Sequence, residues 1–455
     1  MTVTRQLMVV SKIVPPICVG ILLAMALRLY WFAYFWTDDF NNLFWVQQTN
    51  GRQLIAAIVN PTSTFFRPTG MALYWLLFRY RDLDPVSYHA VAWLLHATIV
   101  GLVYLLLRRL THSHFAAGVG ATLFAFQAIL SDIYWGFGTI FEILAAFFFF
   151  LALLYHTGGK HSIAHRLVLV LLFVLAVNAK EMAITLPAVL LLTDLLQPGQ
   201  GRWAVRKDVL IDSAITFGFC LAPALWSLTK NMAVMGTADP QGPYFMKFSL
   251  WTLAQGYWWY SRVLFAGRLA IPSMLATMLL FVLLLKASRR VMSFAAMYVV
   301  VTLLPVIFLV NHRFDFYWYI PFFGLALFAA VATTQVSAWM RRHTSYRTAI
   351  VSGIVLLPLF CVQHYLFQKR RAAPYRQEYE LISQEHRRFV AALRALPSRA
   401  LPKHLYFVTV PKHFDNEILL SAAQVALRRT DVDASPLAAS RADTGLADPY
   451  WIIAP

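Results

Sequence analysis

Long apolar runs separated by short polar stretches dominate the chain. A helix of about 20 apolar residues crosses the hydrocarbon core of a bilayer, because each residue adds about 1.5 Å to its length. Eleven runs predict transmembrane helices, with approximate bounds 13–35, 88–107, 116–130, 140–155, 167–177, 183–196, 209–228, 271–285, 292–310, 317–336 and 348–367. The pattern predicts an all-α polytopic membrane protein.

Two regions between these runs are not expected to span the membrane. Residues 36–85 are predicted as a loop of about fifty residues that contains a short amphipathic piece, Met71–Tyr80. A second amphipathic stretch, Trp251–Phe265, is rich in aromatic side chains, which collect at the level of the lipid headgroups. The first piece is too short to cross a bilayer, and both pieces are predicted to lie in its interface.

The composition changes after Lys369. Arg376–Leu396 has the pattern of a charged amphipathic helix, Leu405–Val410 that of a buried strand, and Asn416–Arg429 that of a further helix. We predict a membrane core over residues 1–367, followed by a small α/β tail outside the membrane over residues 368–455.

Composition and charge narrow the class of protein. The chain is 59% hydrophobic and 13% charged, whereas a soluble domain carries about 25% charged residues. A net charge of +18 would suggest nucleic acid as the partner of a soluble protein. Here most basic residues lie in short loops and in the tail, so we expect contact with the lipid bilayer and no nucleic-acid partner. The cysteines are isolated within apolar runs and form neither a disulfide framework nor a zinc motif.

The basic residues also predict the orientation in the membrane. Loops with two or three basic residues each, which is typical of cytoplasmic loops, lie near Arg108, Lys160, Arg202, Lys286 and Arg341. The N-terminus is therefore predicted to be cytoplasmic, and residues 36–85 and the tail to be extracytoplasmic. Arg- and Ala-rich usage with short loops favours a bacterial inner membrane.

An acidic pair, Asp38-Asp39, directly follows the first apolar run. Like charges raise each other's pKa, and burial beside lipid raises it further. Such a pair is a candidate functional site, since charged groups at a membrane are retained mainly for function. The alternative is an ordinary acidic pair in a solvated loop.

Other strongly polar residues fall at the predicted outer ends of the helices. They are Arg67, His89, Asp132, Glu142, Lys180, Glu181, His312, Arg313 and Asp315. A cavity that holds both carboxylates and cations suits transfer of a group from a phosphate-linked donor. A carboxylate acts as general base on the acceptor hydroxyl, and cations stabilise the charge on the leaving phosphate.

Several motifs, in this order, resemble the GT-C superfamily of membrane glycosyltransferases, and most nearly its protein O-mannosyltransferases and their relatives with tetratricopeptide parts. The resemblance covers about residues 30–330. The motifs are Asp38-Asp39, Phe66-Arg67-Pro68, Tyr88-His89, the acidic positions Asp132 and Glu142, Ala179-Lys180-Glu181, and Tyr317-x-Tyr319-x-Pro321.

The resemblance implies a GT-C-like arrangement of helices and transfer of a sugar from a polyprenyl-phosphate donor to a glycan, lipid or protein acceptor on the extracytoplasmic face. It implies Asp38 or Asp39 as the general base, and it leaves open whether the reaction inverts or retains configuration. Substrate and donor phosphate would be bound by Arg67, His89, Asp132, Glu142, Lys180, Glu181 and Arg313. No cofactor is expected, and the sequence does not indicate a divalent metal.

Two other functions remain open at this stage. A transporter or flippase for a lipid-linked glycan would carry charges at mid-membrane and interrupted helices in paired halves. A non-catalytic GT-C relative in an assembly complex would tolerate changes to the acidic pair.

Overall fold

Helices make up most of the structure. The computed structural model describes residues 2–27, 33–59, 67–158, 162–196, 209–215, 217–218, 239–265, 270–396, 403–436 and 450–453. The helices are α1 Thr2–Leu27, α2 Thr37–Gln48, α3 Gly51–Val59, α4 Pro68–Arg81, α5 Pro85–Thr111, α6 His114–Ala125, α7 Ser131–Trp135, α8 Ile140–Gly158, α9 Ile163–Val177, α10 Leu186–Leu196, α11 Leu250–Leu264, α12 Ala270–Ile307, α13 Phe322–His343, α14 Tyr346–Arg394 and α15 Asn416–Leu427. Residues 209–215 and 217–218 are also helical.

Short 3-10 turns join some of these helices. They are Ala128–Leu130, Phe137–Thr139, Glu181–Thr185 and Asp315–Trp318. Three strands, β1 His404–Phe407, β2 Asp433–Pro436 and β3 Tyr450–Ile453, form a parallel sheet in the order β2-β1-β3. Leu405 is in register with Ala434 on one side and with Trp451 on the other.

Six helical segments of the described residues are long and apolar enough to cross a membrane. They are Val9–Ala26, Pro85–Thr111, Phe137–Gly158, Ser288–Ile307, Phe322–His343 and Ile350–Arg394, and a seventh results if His114–Ala125 and Ala128–Trp135, bent by 49°, form one span. The prediction of an all-α polytopic membrane protein is confirmed. The count of eleven stays a prediction, because α9 and α10 are short and most of the predicted span 209–228 lies outside the described residues.

Local sequence explains where several spans begin and break. At the start of α5, the Asp84 side chain accepts a hydrogen bond from the backbone of Val86, and Pro85 occupies the first helical position, where its missing N–H costs nothing. The long α12 is broken at Ser288, whose backbone is not helical. This break separates the two apolar runs that the sequence predicts as distinct helices.

The stretch predicted as a loop over residues 36–85 is largely helical instead. It contains α2, α3 and α4, and the amphipathic piece Met71–Tyr80 lies within α4. Short helices of this kind are marginal alone and are stabilised by the surfaces on which they pack. At Gly70, an added Cβ would collide with the ring of Phe141 in α8. Glycine therefore allows α4 to lie directly against α8.

The membrane core and the tail share one helix. α14 contains 49 residues, a length of roughly 70 Å, which exceeds the thickness of a bilayer. The boundary predicted at residue 368 falls inside α14, and the division into two domains stays a prediction. Beyond α14, β1 overlaps the predicted strand Leu405–Val410 over residues 405–407, and α15 covers most of the predicted helix 416–429.

Candidate active site

The last residues before the acidic pair are held by α14. The backbone N–H of Tyr34 donates to the Ser383 hydroxyl at 3.1 Å, and the carbonyl oxygen of Phe35 lies 2.9 Å from His386 Nδ1. The Trp36 ring stacks on Tyr379 with centroids 4.5 Å apart. Three consecutive residues are thus positioned by one helix, and α2 begins immediately after them.

Asp39 is the buried member of the pair. Its Oδ2 accepts a hydrogen bond from the backbone N–H of Trp36 at 2.6 Å, and its Oδ1 accepts one from the Tyr74 hydroxyl at 2.5 Å. The first of these bonds is the backward half of a capping box at the start of α2. Burial raises the pKa of Asp39 to about 7, although both hydrogen bonds oppose the shift. Asp39 therefore anchors α2 on α4.

A group of edge-to-face aromatic rings surrounds this anchor. Ring centroids of Tyr74 and Phe137, of Tyr88 and Phe137, and of Phe35 and Tyr88 are each 4.9 Å apart. Such pairs are favoured beyond the area that they bury. The carboxyl group of Asp39 is thus enclosed by a packed wall.

Asp38 is the accessible member of the pair. Its side chain is exposed, and the charges that act on it come from Lys180, Arg67, Glu142 and, in the tail, Asp415. Desolvation by the surrounding protein raises the pKa of Asp38 even though the side chain stays accessible, whereas Lys180 and Arg67 lower it. The pair therefore divides into a buried anchor and an accessible carboxylate on which the charges of Lys180 and Arg67 act.

Arg67 forms the first of two ion pairs near Asp38. Its Nε and one terminal nitrogen each lie 3.0 Å from an oxygen of Glu181, and its guanidinium lies 5.5 Å from the ring centroid of Phe141. Arg67 has a left-handed backbone conformation just before α4. Its motif partner Phe66 lies outside the described residues.

Lys180 forms the second ion pair, in which both side chains are buried. Its Nζ lies 2.5 Å from Glu142 at the start of α8 and 5.6 Å from the ring centroid of Tyr317. The backbone N–H of Thr69 donates to the carbonyl of Asn178 at 3.2 Å, which joins the start of α4 to the turn that carries Lys180. Both cations are therefore held in place by carboxylates and by the backbone around them.

Asp132, one of the two acidic positions of the motif set, is hydrogen-bonded to the predicted tail. Its Oδ1 accepts a hydrogen bond from the Tyr379 hydroxyl at 2.6 Å, and Tyr379 is the residue that stacks on Trp36. Asp315 lies near enough for the charge of Asp132 to act on it. Burial, with a contribution from Asp132, raises the pKa of Asp315 to about 6.

Two predicted site residues lie apart from the ion pairs. His89 is buried in α5, with its ring centroid 6.4 Å from that of Phe137. Arg313 donates to the carbonyl of Leu309 at 3.1 Å, and no ion pair joins it to another residue in the described part of the chain. The neighbouring His312 lies closer to the cations: burial, together with Lys180 and Arg67, lowers the pKa of His312 to about 4.

Four contributors were absent from the sequence-based set of site residues: Trp36, Tyr74, Tyr244 and Tyr379. Tyr74 lies 35 residues from the carboxylate it binds, and Tyr379 lies 247 residues from its own. Nothing distinguishes them locally in a chain that is 15% aromatic. The ring centroids of Tyr244 and His312 are 4.5 Å apart, and Tyr244 is recognisable only from this contact.

One grouping among the described residues could hold a metal ion, and it includes none of the predicted site residues. Ligand atoms of His156, His165 and Asp212 lie within 4.8 Å of one another. His156 lies in the last turn of α8, whereas Glu142 lies in the first. Asp212 Oδ1 also accepts a hydrogen bond from Arg166 Nε at 2.9 Å.

The fold of this chain resembles that of a solved membrane protein. No protein-family model and no curated protein matches the chain. The apo crystal structure of an oligosaccharyltransferase from Archaeoglobus fulgidus matches with a TM-score of 0.52 and 12% identity, over 92% of this chain and 64% of that one. The chain has a GT-C fold. The GT-C-like arrangement of helices that the motifs predict is thereby confirmed as a fold, and the branch stays a prediction.

Two further structures of the archaeal enzyme give similar values. The complex of its AglB protein with an inhibitory peptide and a dolichol-phosphate matches at 12% identity with a TM-score of 0.49, over 91% of this chain and 64% of that one. The form tethered to an acceptor peptide matches at 12% identity with a TM-score of 0.48, over 92% and 63%. The chain thus spans less than two thirds of the length of the structures it matches.

Proposed function

We propose that this protein is a membrane glycosyltransferase that transfers a sugar from a polyprenyl-phosphate donor to an acceptor on the extracytoplasmic face. The observation that carries the proposal is the accessible carboxylate of Asp38 beside two positioned cations, within a GT-C fold. A carboxylate for the acceptor and cations for the phosphate are the two elements that this chemistry needs.

In the reaction, the Asp38 carboxylate removes the proton from the acceptor hydroxyl as its oxygen bonds to the anomeric carbon of the donor sugar. The bond from that carbon to the phosphate oxygen breaks, and polyprenyl phosphate leaves with the bonding electrons. Lys180 and Arg67 stabilise the charge on the leaving phosphate. A raised pKa makes Asp38 a stronger base at neutral pH.

The other polar residues have supporting roles in this proposal. Glu142 and Glu181 hold the two cations, and Asp132, oriented by Tyr379, binds hydroxyl groups of the substrate. His89 supports the aromatic wall behind Asp39 through its contact with Phe137. The acceptor is a glycan, a lipid or a protein.

The decisive experiment measures transfer by the purified, detergent-solubilised protein, with a panel of polyprenyl-phosphate sugars and membrane extract as acceptor. Asp38→Asn should lower turnover by at least about 100-fold, because a positioned general base contributes about 10²–10⁴-fold. Its melting temperature should match that of the wild type, since the Asp38 side chain is exposed.

The matched control is Asp39→Asn, which alters the adjacent buried carboxylate that is bonded to Tyr74 and to the backbone of Trp36. It should retain far more turnover than Asp38→Asn. Equal loss in both variants would remove Asp38 as the base. A wild type that transfers no sugar, but moves a lipid-linked glycan across vesicles, would establish the transporter instead.

A further inference from the structure

A large cavity lies between α1, α6, α13 and α14, away from the acidic pair. Its volume is about 590 Å³, within the range of about 300–1,000 Å³ typical of ligand sites. Its walls are mainly apolar and include Val14, Val119, Ile354, Leu357 and Phe360. α1, α13 and α14 are candidate membrane spans, so these walls lie at membrane depth.

The cavity and the acidic pair are at opposite ends of α5. Tyr88, near the start of α5, packs beside Tyr74, which binds Asp39. His112, which caps the other end of α5, lines the cavity. The 23 helical residues after Tyr88 span roughly 35 Å, which is about the thickness of the hydrocarbon core. The two sites therefore lie near opposite membrane surfaces.

The cavity carries positive charge at one end. Lys12 and Arg341 line it and are exposed, and His112 and His114 lie beside them. None of the described residues that line the cavity is acidic. An apolar slot between membrane helices that ends in cations matches a lipid with an anionic headgroup.

We propose that this cavity binds an anionic phospholipid from the adjacent leaflet. An acyl chain lies between α13 and α14, and the phosphate lies against Lys12 and Arg341. The polyprenyl-phosphate donor is not the occupant, because its phosphate would be roughly 35 Å from Asp38, one bilayer away. A bound lipid contacts α1, α6, α13 and α14 at once and stabilises their packing by mass action.

The test compares retention of phosphatidylglycerol and phosphatidylcholine with identical acyl chains by native mass spectrometry of the full-length protein. The wild type should retain phosphatidylglycerol preferentially, and its melting temperature should rise with that lipid. The double variant Lys12→Ala/Arg341→Ala should bind phosphatidylglycerol about tenfold more weakly, since each cation near a membrane surface contributes to binding anionic lipid.

Two further variants separate this site from general surface attraction. Lys12→Arg/Arg341→Lys keeps both charges and should restore binding. Gly353→Leu keeps every charge but directs a side chain toward Phe115, which lines the cavity, and should also lose the lipid.

Three outcomes would overturn the proposal. The first is equal retention of both lipids by the wild type. The second is unchanged binding in Lys12→Ala/Arg341→Ala or in Gly353→Leu. The third is displacement of phosphatidylglycerol by polyprenyl phosphate with loss of sugar transfer in the double variant, which would make the cavity part of the donor path.

Discussion

Asp38 and Asp39 are adjacent in the first turn of α2, yet their environments differ. Successive residues of a helix point about 100° apart, so the two carboxylates enter different surroundings. Asp39 is fully buried and bonded to Tyr74, whereas Asp38 is exposed. The geometry that anchors the helix also presents the proposed base.

Asp39 should make stability depend on pH. Its pKa is about 7 in the folded protein and about 3.9 in an unfolded chain. Its contribution to stability is therefore fully present below about pH 4 and is lost as the pH rises through about 7. Between pH 5 and pH 8 the melting temperature of the wild type should therefore fall further than that of Asp39→Asn. Asp239→Asn, in an exposed loop, is the control. Parallel curves of melting temperature against pH for the wild type and Asp39→Asn would contradict the raised pKa of Asp39.

Lys180 should stabilise the leaving phosphate with its positive charge, a role that a metal ion has in other phosphate sites. We expect Lys180→Gln to lower turnover by about 10²–10³-fold, the usual cost of removing one group that stabilises a developing charge. Dialysis of the wild type against a chelator should leave turnover unchanged. Loss of turnover on dialysis, with recovery on adding Mg²⁺ or Mn²⁺, would show a metal requirement and contradict the prediction.

At the scale of elements, α14 links the tail to the site. It holds residues 34–36 through Ser383, His386 and Tyr379. It also reaches Asp132, and its Arg394 forms an ion pair with Asp82 at 2.8 Å between α4 and α5. α14 thus fixes the segment before α2 relative to Asp132.

Tyr379 is therefore a positioning residue, and Tyr379→Phe removes its hydroxyl while keeping the ring on Trp36. The loss of a hydrogen bond to a carboxylate should lower kcat/KM by about tenfold or more. The change should lie mainly in KM, because Asp132 is proposed to bind substrate. The melting temperature should be unchanged. Tyr375→Phe, exposed on the same helix, is the matched control, and an equal effect of both substitutions would remove this role.

At the scale of the molecule, the candidate active site and the cavity lie at opposite ends of α5. The acidic pair, the ion pairs and the tail lie at one end of α5, and the basic mouth of the cavity lies at the other. Cytoplasmic loops of membrane proteins are rich in Lys and Arg. We therefore predict that the end of α5 with the cavity is cytoplasmic and that the candidate active site is extracytoplasmic.

Cysteine labelling in intact cells tests this orientation. In a background with Cys18, Cys220 and Cys361 replaced by alanine, Lys412→Cys, in the segment beside Trp36, should react with an impermeant maleimide. Arg341→Cys should react only after permeabilisation. The reverse result would invert the topology and place the site in the cytoplasm.

The sequence by itself determined the features that depend on short stretches of chain. Apolar runs such as Pro85–Thr111 form helices because length and composition are local properties. The acidic pair and the Ala-Lys-Glu turn were recognisable for the same reason, since their residues are adjacent.

Only the tertiary structure decided which polar groups meet. It turned residues 36–85 from a predicted loop into three packed helices, and it separated Asp38 from Asp39 by giving one of them Tyr74. It also joined Asp132 to Tyr379 across 247 residues. These contacts arise from the packing of distant helices, and the burial that results sets the charge and accessibility of each carboxylate. Neither property is contained in any local pattern.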